Sequence, residues 1–346
     1  MRYIDLHCDT LSVACDRGVS IADGSLQAAT EKLNKSNCAA QCFALFTEGD
    51  GAAHAFKTYL SYYEKRVAEN KLKPVLCADD LRAFLSGGGT GSILTVENLG
   101  FLDDIARLGE LREAGVRMAS LVWNRENAYA YPNMPSCPRA VNSCPPPANC
   151  LTSASCPPPA QGGGAGEGVA PVALPQFLSE RESRGLKPAG RAAVEELDRL
   201  KIIVDISHLS DGGAEEILAG RKIPAVASHS GAFGACGVSR NLTDSLIKKI
   251  ADCGGVIGIY YCKDFLGEGD TFARVFAHLR HIIRVGGDDV IALGSDFDGI
   301  PAPPGLESCE RVPALLDYLY SRGMRAATLE KLCHKNFLRV FSEVCG

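Results

Sequence analysis

Apolar and polar positions along the chain fall into eight short apolar runs separated by longer amphipathic stretches. The runs are Arg2–His7, Cys38–Leu45, Gly91–Glu97, Val116–Val122, Lys201–His208, Ala225–His229, Gly255–Tyr261 and Val290–Asp296. Several are continuously apolar at their centres, as in Ile202-Ile203-Val204 and Val256-Ile257. Strands buried on both faces read this way, whereas half-exposed antiparallel strands alternate. The stretches between them carry apolar residues at spacings of three and four. Leu102–Ala114 lines up Leu102, Ile105, Ala106, Leu108 and Leu111, then meets Gly115, a C-cap residue. Arg191–Leu200, Thr271–Val285 and Leu329–Val344 are further predicted helices. Alternating strands and helices make βαβ units, and eight of them predict an α/β fold of the (β/α)8 TIM-barrel type rather than an open sheet.

One stretch breaks the pattern. Residues 131–175 hold eleven of the eighteen prolines, the glycines 162–164, and Cys137, Cys144, Cys150 and Cys156. Proline removes a backbone donor and fixes φ, so neither a helix nor an interior strand is expected there. The domain reading is one barrel over residues 1–346 with an irregular insertion at 131–175, emerging after the fourth strand at the C-terminal mouth. The spacing of the four thiols matches no familiar zinc knuckle.

Composition narrows the classes. Of 346 residues, 46% are hydrophobic and 22% charged, as in ordinary globular proteins. A net charge of −5 leaves no basic surplus for nucleic acid. No run of ~18 apolar residues offers a membrane helix. Met1–Asp5 lacks the apolar stretch of a secretory signal, and Glu343–Gly346 carries no anchor tail, so a cytoplasmic protein without membrane contact is expected. Fifteen cysteines, an odd number with no C-x-x-C pair, do not read as a disulfide framework.

Candidate chemistry collects at the ends of the apolar runs. His7 and Asp9 follow the first, separated by Cys8; Glu97 closes the third; His208 and His229 close the fifth and sixth; Asp296 closes the eighth. Each alone has an ordinary explanation, such as a polar turn or a hydrogen-bonded histidine. Together they occupy the C-terminal ends of predicted strands, which is the catalytic face of a barrel. Three of the seven histidines are in the set. Three imidazoles and three carboxylates are the borderline donors that zinc prefers, and six suffice for two ions sharing one carboxylate.

The chain resembles the membrane (renal) dipeptidase family, the M19 metallopeptidases of the amidohydrolase superfamily. The residues that carry the resemblance are Asp5-Leu6-His7-Cys8-Asp9-Thr10, Thr95-Val96-Glu97-Asn98, Asp205-Ile206-Ser207-His208-Leu209-Ser210, Ser228-His229-Ser230, Arg240-Asn241-Leu242 and Gly294-Ser295-Asp296-Phe297-Asp298-Gly299. They run in the family's order over nearly the whole chain. The resemblance implies a zinc-dependent dipeptidase, acting on dipeptides that include those with C-terminal D-residues, through a hydroxide shared by two Zn2+. His7, Asp9 and Asp296 would hold one ion, His208 and His229 the other, and Glu97 would bridge them. Asp296 would shuttle the proton, and Arg240 would bind the substrate carboxylate. The family's oxyanion-stabilising histidine after the fourth strand has no counterpart here. Trp123 stands in its place, followed by Asn124, so Trp123 and Asn124 join Arg240 as candidate substrate-binding residues. A homodimer is implied by analogy. Two other readings stay open: a related dinuclear-metal amidohydrolase acting on another amide, lactone or β-lactam, and a non-catalytic binding protein.

Overall fold

All eight apolar runs form parallel strands. In the computed structural model, which describes residues 1–134 and 181–346, they are β1 (Tyr3–Cys8), β2 (Cys38–Phe46), β3 (Gly91–Glu97), β4 (Val116–Ser120), β5 (Ile203–Asp205), β6 (Val226–Ser230), β7 (Val256–Ile259) and β8 (Ile291–Leu293). Each pairs with its neighbours in chain order, and Asp5 of β1 lies opposite Leu293 of β8, which closes the barrel. Every strand residue except Phe46 is buried, consistent with the continuous apolar runs in the sequence.

One apolar cluster draws residues from all eight strands, including Ile4, Cys42, Ile93, Met118, Ile203, Val226, Val256 and Ala292. It packs against Phe337, Val340 and Phe341 of the C-terminal helix. Full burial of each such aromatic or branched aliphatic side chain contributes about 1.5–3 kcal/mol. A second, larger cluster joins strands to the surrounding helices.

Helix positions follow the sequence pattern with two differences. The predicted helix over 102–114 shrinks to a 3-10 turn, Ile105–Arg107, and an α-helix, Leu108–Glu113. Asp104 prevents an earlier start: it is extended, and its side chain accepts the Ala106 N–H as a cap. At the C-terminus the helical stretch runs from Ala326 to Cys345, with a π-helical turn at Lys331–Lys335. The helices over 191–200 and 271–285 appear as Pro188–Arg199 and Thr271–Gly286.

Of the span read as an insertion, only Tyr131–Met134 is described; the rest, with Cys137, Cys144, Cys150 and Cys156, lies outside the described residues. Tyr131–Met134 pack on the loop after β5. The Asn133 N–H donates to the His208 carbonyl at 2.8 Å, and the Ser210 N–H to the Tyr131 carbonyl at 2.9 Å. Among the described residues no helix is long and apolar enough to cross a membrane.

Candidate metal centre

Four of the six candidate ligands leave their strands through local irregularities that aim them at one point. Between Asp5 and Cys8, β1 uses three steps against two on β2, from Gln41 to Phe43. Between Ala227 and Ser230, β6 does the same against Ile257–Ile259 of β7. His7 and His229 sit at these extra residues, where a bulge turns a side chain away from strict alternation. His208 and Asp296 lie three residues beyond the paired parts of β5 and β8. That is why both strands are shorter than the apolar runs suggest.

The β1 and β8 ends are stitched together. The His7 carbonyl accepts from the Asp296 N–H and from Ser295 Oγ, both at 3.1 Å, and the Asp9 N–H donates to the Phe297 carbonyl at 2.8 Å. Asp296 and Asp298 both have φ of +66°, a left-handed conformation that costs a non-glycine residue about 1–2 kcal/mol. Asp298 holds that turn in place. Its carboxylate accepts from Thr10 Oγ1 at 2.6 Å and from the Gln27 and Ala28 N–H groups. Glu97 is fixed from the next residue: Asn98 donates to the Thr47 carbonyl at 2.7 Å and, through its N–H, to Ser120 Oγ at 3.0 Å.

All six residues converge. Glu97 lies between two groups and shows one oxygen to each. Its Oε2 is 3.6 Å from His7 Nε2, while its Oε1 is 2.9 Å from His208 Nε2 and 3.6 Å from His229 Nε2. His7 Nε2 is also 3.6 Å from Asp9 Oδ2 and 3.9 Å from Asp296 Oδ1. The donors form three overlapping triads: His7, Asp9 and Glu97; His7, His229 and Asp296; Glu97, His208 and His229.

The electrostatics of this cluster call for a cation. Burial lowers the His7 pKa, but Glu97, Asp9 and Asp296 outweigh it and raise the imidazole to about 10. Burial, with Asp9 and Asp296 beside it, pushes the Glu97 carboxyl well up. Burial likewise lifts Asp296 to about 7, against the pull of His7. Burial, helped by the positive charges of Arg240 and His7, holds His208 and His229 well below the ordinary histidine range. Three crowded carboxylates therefore share two neutral imidazoles and one that is charged. His7 Nε2 and Asp9 Oδ1 are buried without any hydrogen-bond partner. Such orphaned atoms are costly unless something binds them, and nitrogen and carboxylate donors at this spacing suit a divalent transition metal.

Of the three candidate substrate-binding residues, Arg240 is the most buried, with 2% of its surface exposed. It donates to the Ser207 carbonyl, to the His229 carbonyl at 2.9 Å and to His208 Nε2 at 3.1 Å. Asn124 is half-buried and holds His208, with its Oδ1 3.0 Å from Nδ1. Trp123 is also half-buried, edge-on to Phe46 with ring centres 4.8 Å apart, and 6.1 Å from the His208 ring.

Sequence reasoning missed two contributions. A Cβ on Gly299 would overlap Asp9 Oδ2 and press on Asp296 Oδ1, so only glycine leaves both oxygens free. Asp205, Ser207 and Ser228 form a buried hydrogen-bonded group behind the histidines. Their only signal in the sequence is a serine directly before each of His208 and His229, with Asp205 three residues before His208.

A family model described as membrane dipeptidase (peptidase family M19) matches residues 1–143 and 169–345. The chain belongs to the membrane dipeptidase family. The unmatched residues 144–168 fall inside the span read as an insertion. An uncharacterized dipeptidase of Schizosaccharomyces pombe is 31% identical to this family member over 282 residues, 79% of this chain and 58% of the yeast protein. The chain spans about three-fifths of the length of the curated relatives it matches. Two solved structures share the M19 chain's fold at 22% identity. One, a dipeptidase described as an M19 metallopeptidase, has a TM-score of 0.79 and covers 100% of this chain and 99% of its own. The other is a metallopeptidase from Rhodobacter sphaeroides, bound to a phosphinate mimic of the dipeptide L-Ala-D-Ala. Its TM-score is 0.77, with 99% of both chains covered.

Proposed function

We propose that this chain is a zinc-dependent dipeptidase that hydrolyses the peptide bond of dipeptides, including those ending in a D-residue. The observation that carries the reading is the convergence of five side chains from four other strand ends around Glu97, with imidazoles against each of its two oxygens. On this reading His7, Asp9 and Asp296 hold one Zn2+, His208 and His229 hold a second, and Glu97 serves both. When bound, such a pair supplies an acidified water and polarises the scissile carbonyl.

The chain's own residues do the rest. Asp296 takes the proton of the attacking water and passes it to the leaving amine, a role suited to a carboxylate in a crowded, nearly buried position. Arg240 has five N–H donors, three of which face Ser207, His229 and His208. The N–H groups left over, on Nε and Nη1, point to different sides of the guanidinium; one of them would donate to the free carboxylate of a dipeptide, a charge-assisted pair in a water-poor site. Trp123 forms an apolar wall at the mouth. Asn124 turns its oxygen to His208, so its amide nitrogen is the donor left for charge developing on the carbonyl oxygen. The dipeptide mimic held by the Rhodobacter sphaeroides protein supports the substrate class, including the D-configured end.

The test is a panel of dipeptides with L- and D-configured C-terminal residues, offered to metal-depleted and zinc-reloaded protein. Hydrolysis that returns with zinc is expected; a protein that takes up zinc yet cleaves no dipeptide overturns the reading. Arg240→Ala should raise KM for a dipeptide by about 10–100-fold. A variant that cleaves as well as the parent would point instead to another amide, a lactone or a β-lactam.

A further inference from the structure

Behind His229 lies a chain of hydrogen bonds whose proton count can be settled from acceptor strength and distance. Ser228 Oγ is 2.9 Å from His229 Nδ1, 2.5 Å from Asp205 Oδ2 and 3.0 Å from Ser207 Oγ. Ser207 Oγ is 2.6 Å from Asp205 Oδ1. Each hydroxyl has one hydrogen, and the carboxylate is both the strongest acceptor and the nearest. Both serines therefore donate to Asp205. That leaves Ser228 Oγ only as an acceptor towards His229, so Nδ1 carries the ring proton and Nε2 offers its lone pair to the candidate metal, beside the His208 Nε2 2.9 Å away. The group is fully enclosed: Ser207 and Ser228 are 0% exposed and Asp205 is 7% exposed.

We propose that Asp205 is a positioning residue that sets the tautomer of His229 through Ser228, and so prepares one ligand of the ion assigned to His208 and His229. This rests on the metal reading given above. A neighbouring observation fixes the other ligand independently. Arg240 Nη2 lies 3.1 Å from His208 Nε2, and a guanidinium can only donate. His208 Nε2 is therefore also unprotonated, and its Nδ1–H points at Asn124 Oδ1.

The geometry makes an unusual forecast for Asp205→Asn. Oδ1 of Asp205 takes three donors: the Ser207 N–H at 3.0 Å, the Ser207 hydroxyl and the Ser228 N–H at 3.0 Å. The amide oxygen of asparagine must occupy that place. Its NH2 then faces Ser228 Oγ, which becomes an acceptor there and turns its hydrogen to His229 Nδ1. The ring proton is driven to Nε2, the atom that should bind metal. Size is conserved, yet the tautomer inverts.

Imidazole nitrogen NMR of the metal-free protein reads this directly, and zinc affinity by chelator competition reads its consequence. In the parent protein the His229 proton is expected on Nδ1. Asp205→Asn should move it to Nε2 and weaken the zinc assigned to His208 and His229 by about 10–100-fold. Ser228→Ala, which leaves Nδ1 without an acceptor, should give mixed tautomers and a smaller loss. A parent protein with the proton on Nε2 overturns the proposal, as does a folded Asp205→Asn or Ser228→Ala variant with the parent's tautomer and affinity. If neither variant folds, the tautomer of the parent decides. A parent protein with the Nδ1 proton in place that takes up no zinc would instead remove the metal reading and leave the relay standing.

Discussion

On one flank of Glu97, at the ends of β5 and β6, both imidazoles are neutral and each is held from behind. His208 leans on Asn124, and His229 leans on Ser228 and Asp205. On the other flank, at the ends of β1 and β8, His7 faces three carboxylates and its Nε2 has no hydrogen-bond partner. On the first flank the protein alone orients the rings through their Nδ1 atoms; the second leaves charge and donor atoms unsatisfied. A site built this way is prepared on one side and dependent on its ion on the other. The comparison predicts that damage to the two flanks will have different signatures.

The largest effect should come from the residue common to both. Glu97→Gln removes the negative charge at the junction and replaces one of its two oxygens by an NH2, which cannot act as a ligand. Dipeptide hydrolysis should fall by more than about 1,000-fold, with metal content, read by elemental analysis, reduced as well. Retention of full metal content and activity would show that the flanks do not depend on a shared carboxylate.

Gly299→Ala should strike the β1–β8 flank selectively. Its added carbon meets Asp9 and Asp296 and nothing near His208. One ion should be lost or weakened by about tenfold or more while the other binds as before. Equal weakening of both ions would show that the two flanks are not independent.

The pH dependence of stability offers a third contrast. The folded-state pKa of Asp296 is raised from 3.8 to about 7, and that of His7 from 6.5 to about 10. For a raised pKa the stabilising share is complete below the unfolded value and is lost as pH climbs through the folded one. Below pH 6.5 the loss through Asp296 is opposed by His208 and His229, whose lowered pKa values add stability as pH rises; from pH 6.5 to about 10 metal-depleted protein should lose thermal stability through His7. Zinc should cancel this decline, since it replaces the protons and is itself bound more tightly as they leave. Melting curves with and without chelator test the sign. A metal-free protein that grows more stable from pH 6.5 to 10 contradicts the charge balance of the β1–β8 flank.

The smallest effect is expected from Asn124→Ala, which removes the support behind His208 but leaves its ring in a buried slot. Zinc affinity on the β5–β6 flank should weaken by about tenfold, measured by chelator competition, with the β1–β8 flank unchanged.

Much of this was legible in the sequence because burial and chemistry left simple marks. A barrel strand buried on both faces is an apolar run, and a ligand at its mouth is a histidine or carboxylate where that run ends. Glu97 is such a residue, directly after Ile93–Val96. Less visible were the extra residues in β1 and β6 that turn His7 and His229, because pairing register is a property of two strands and not of one. Asp205 and Ser228 look like ordinary polar residues until their partners on the neighbouring strand are known. Gly299 gives no hint of its purpose without the oxygens that fill the space a side chain would need. The shortened helix at 105–113 went unseen because Leu102 fits the helical spacing, while Asp104, with its capping carboxylate, decides the start.

The C-terminal helix has a consequence for traffic. Phe337, Val340 and Phe341 seal the apolar interior to which every strand contributes, so the barrel is a cup and not a tube. If the proposed activity holds, the dipeptide and its two products would pass through the mouth above Glu97 and not through the sealed end.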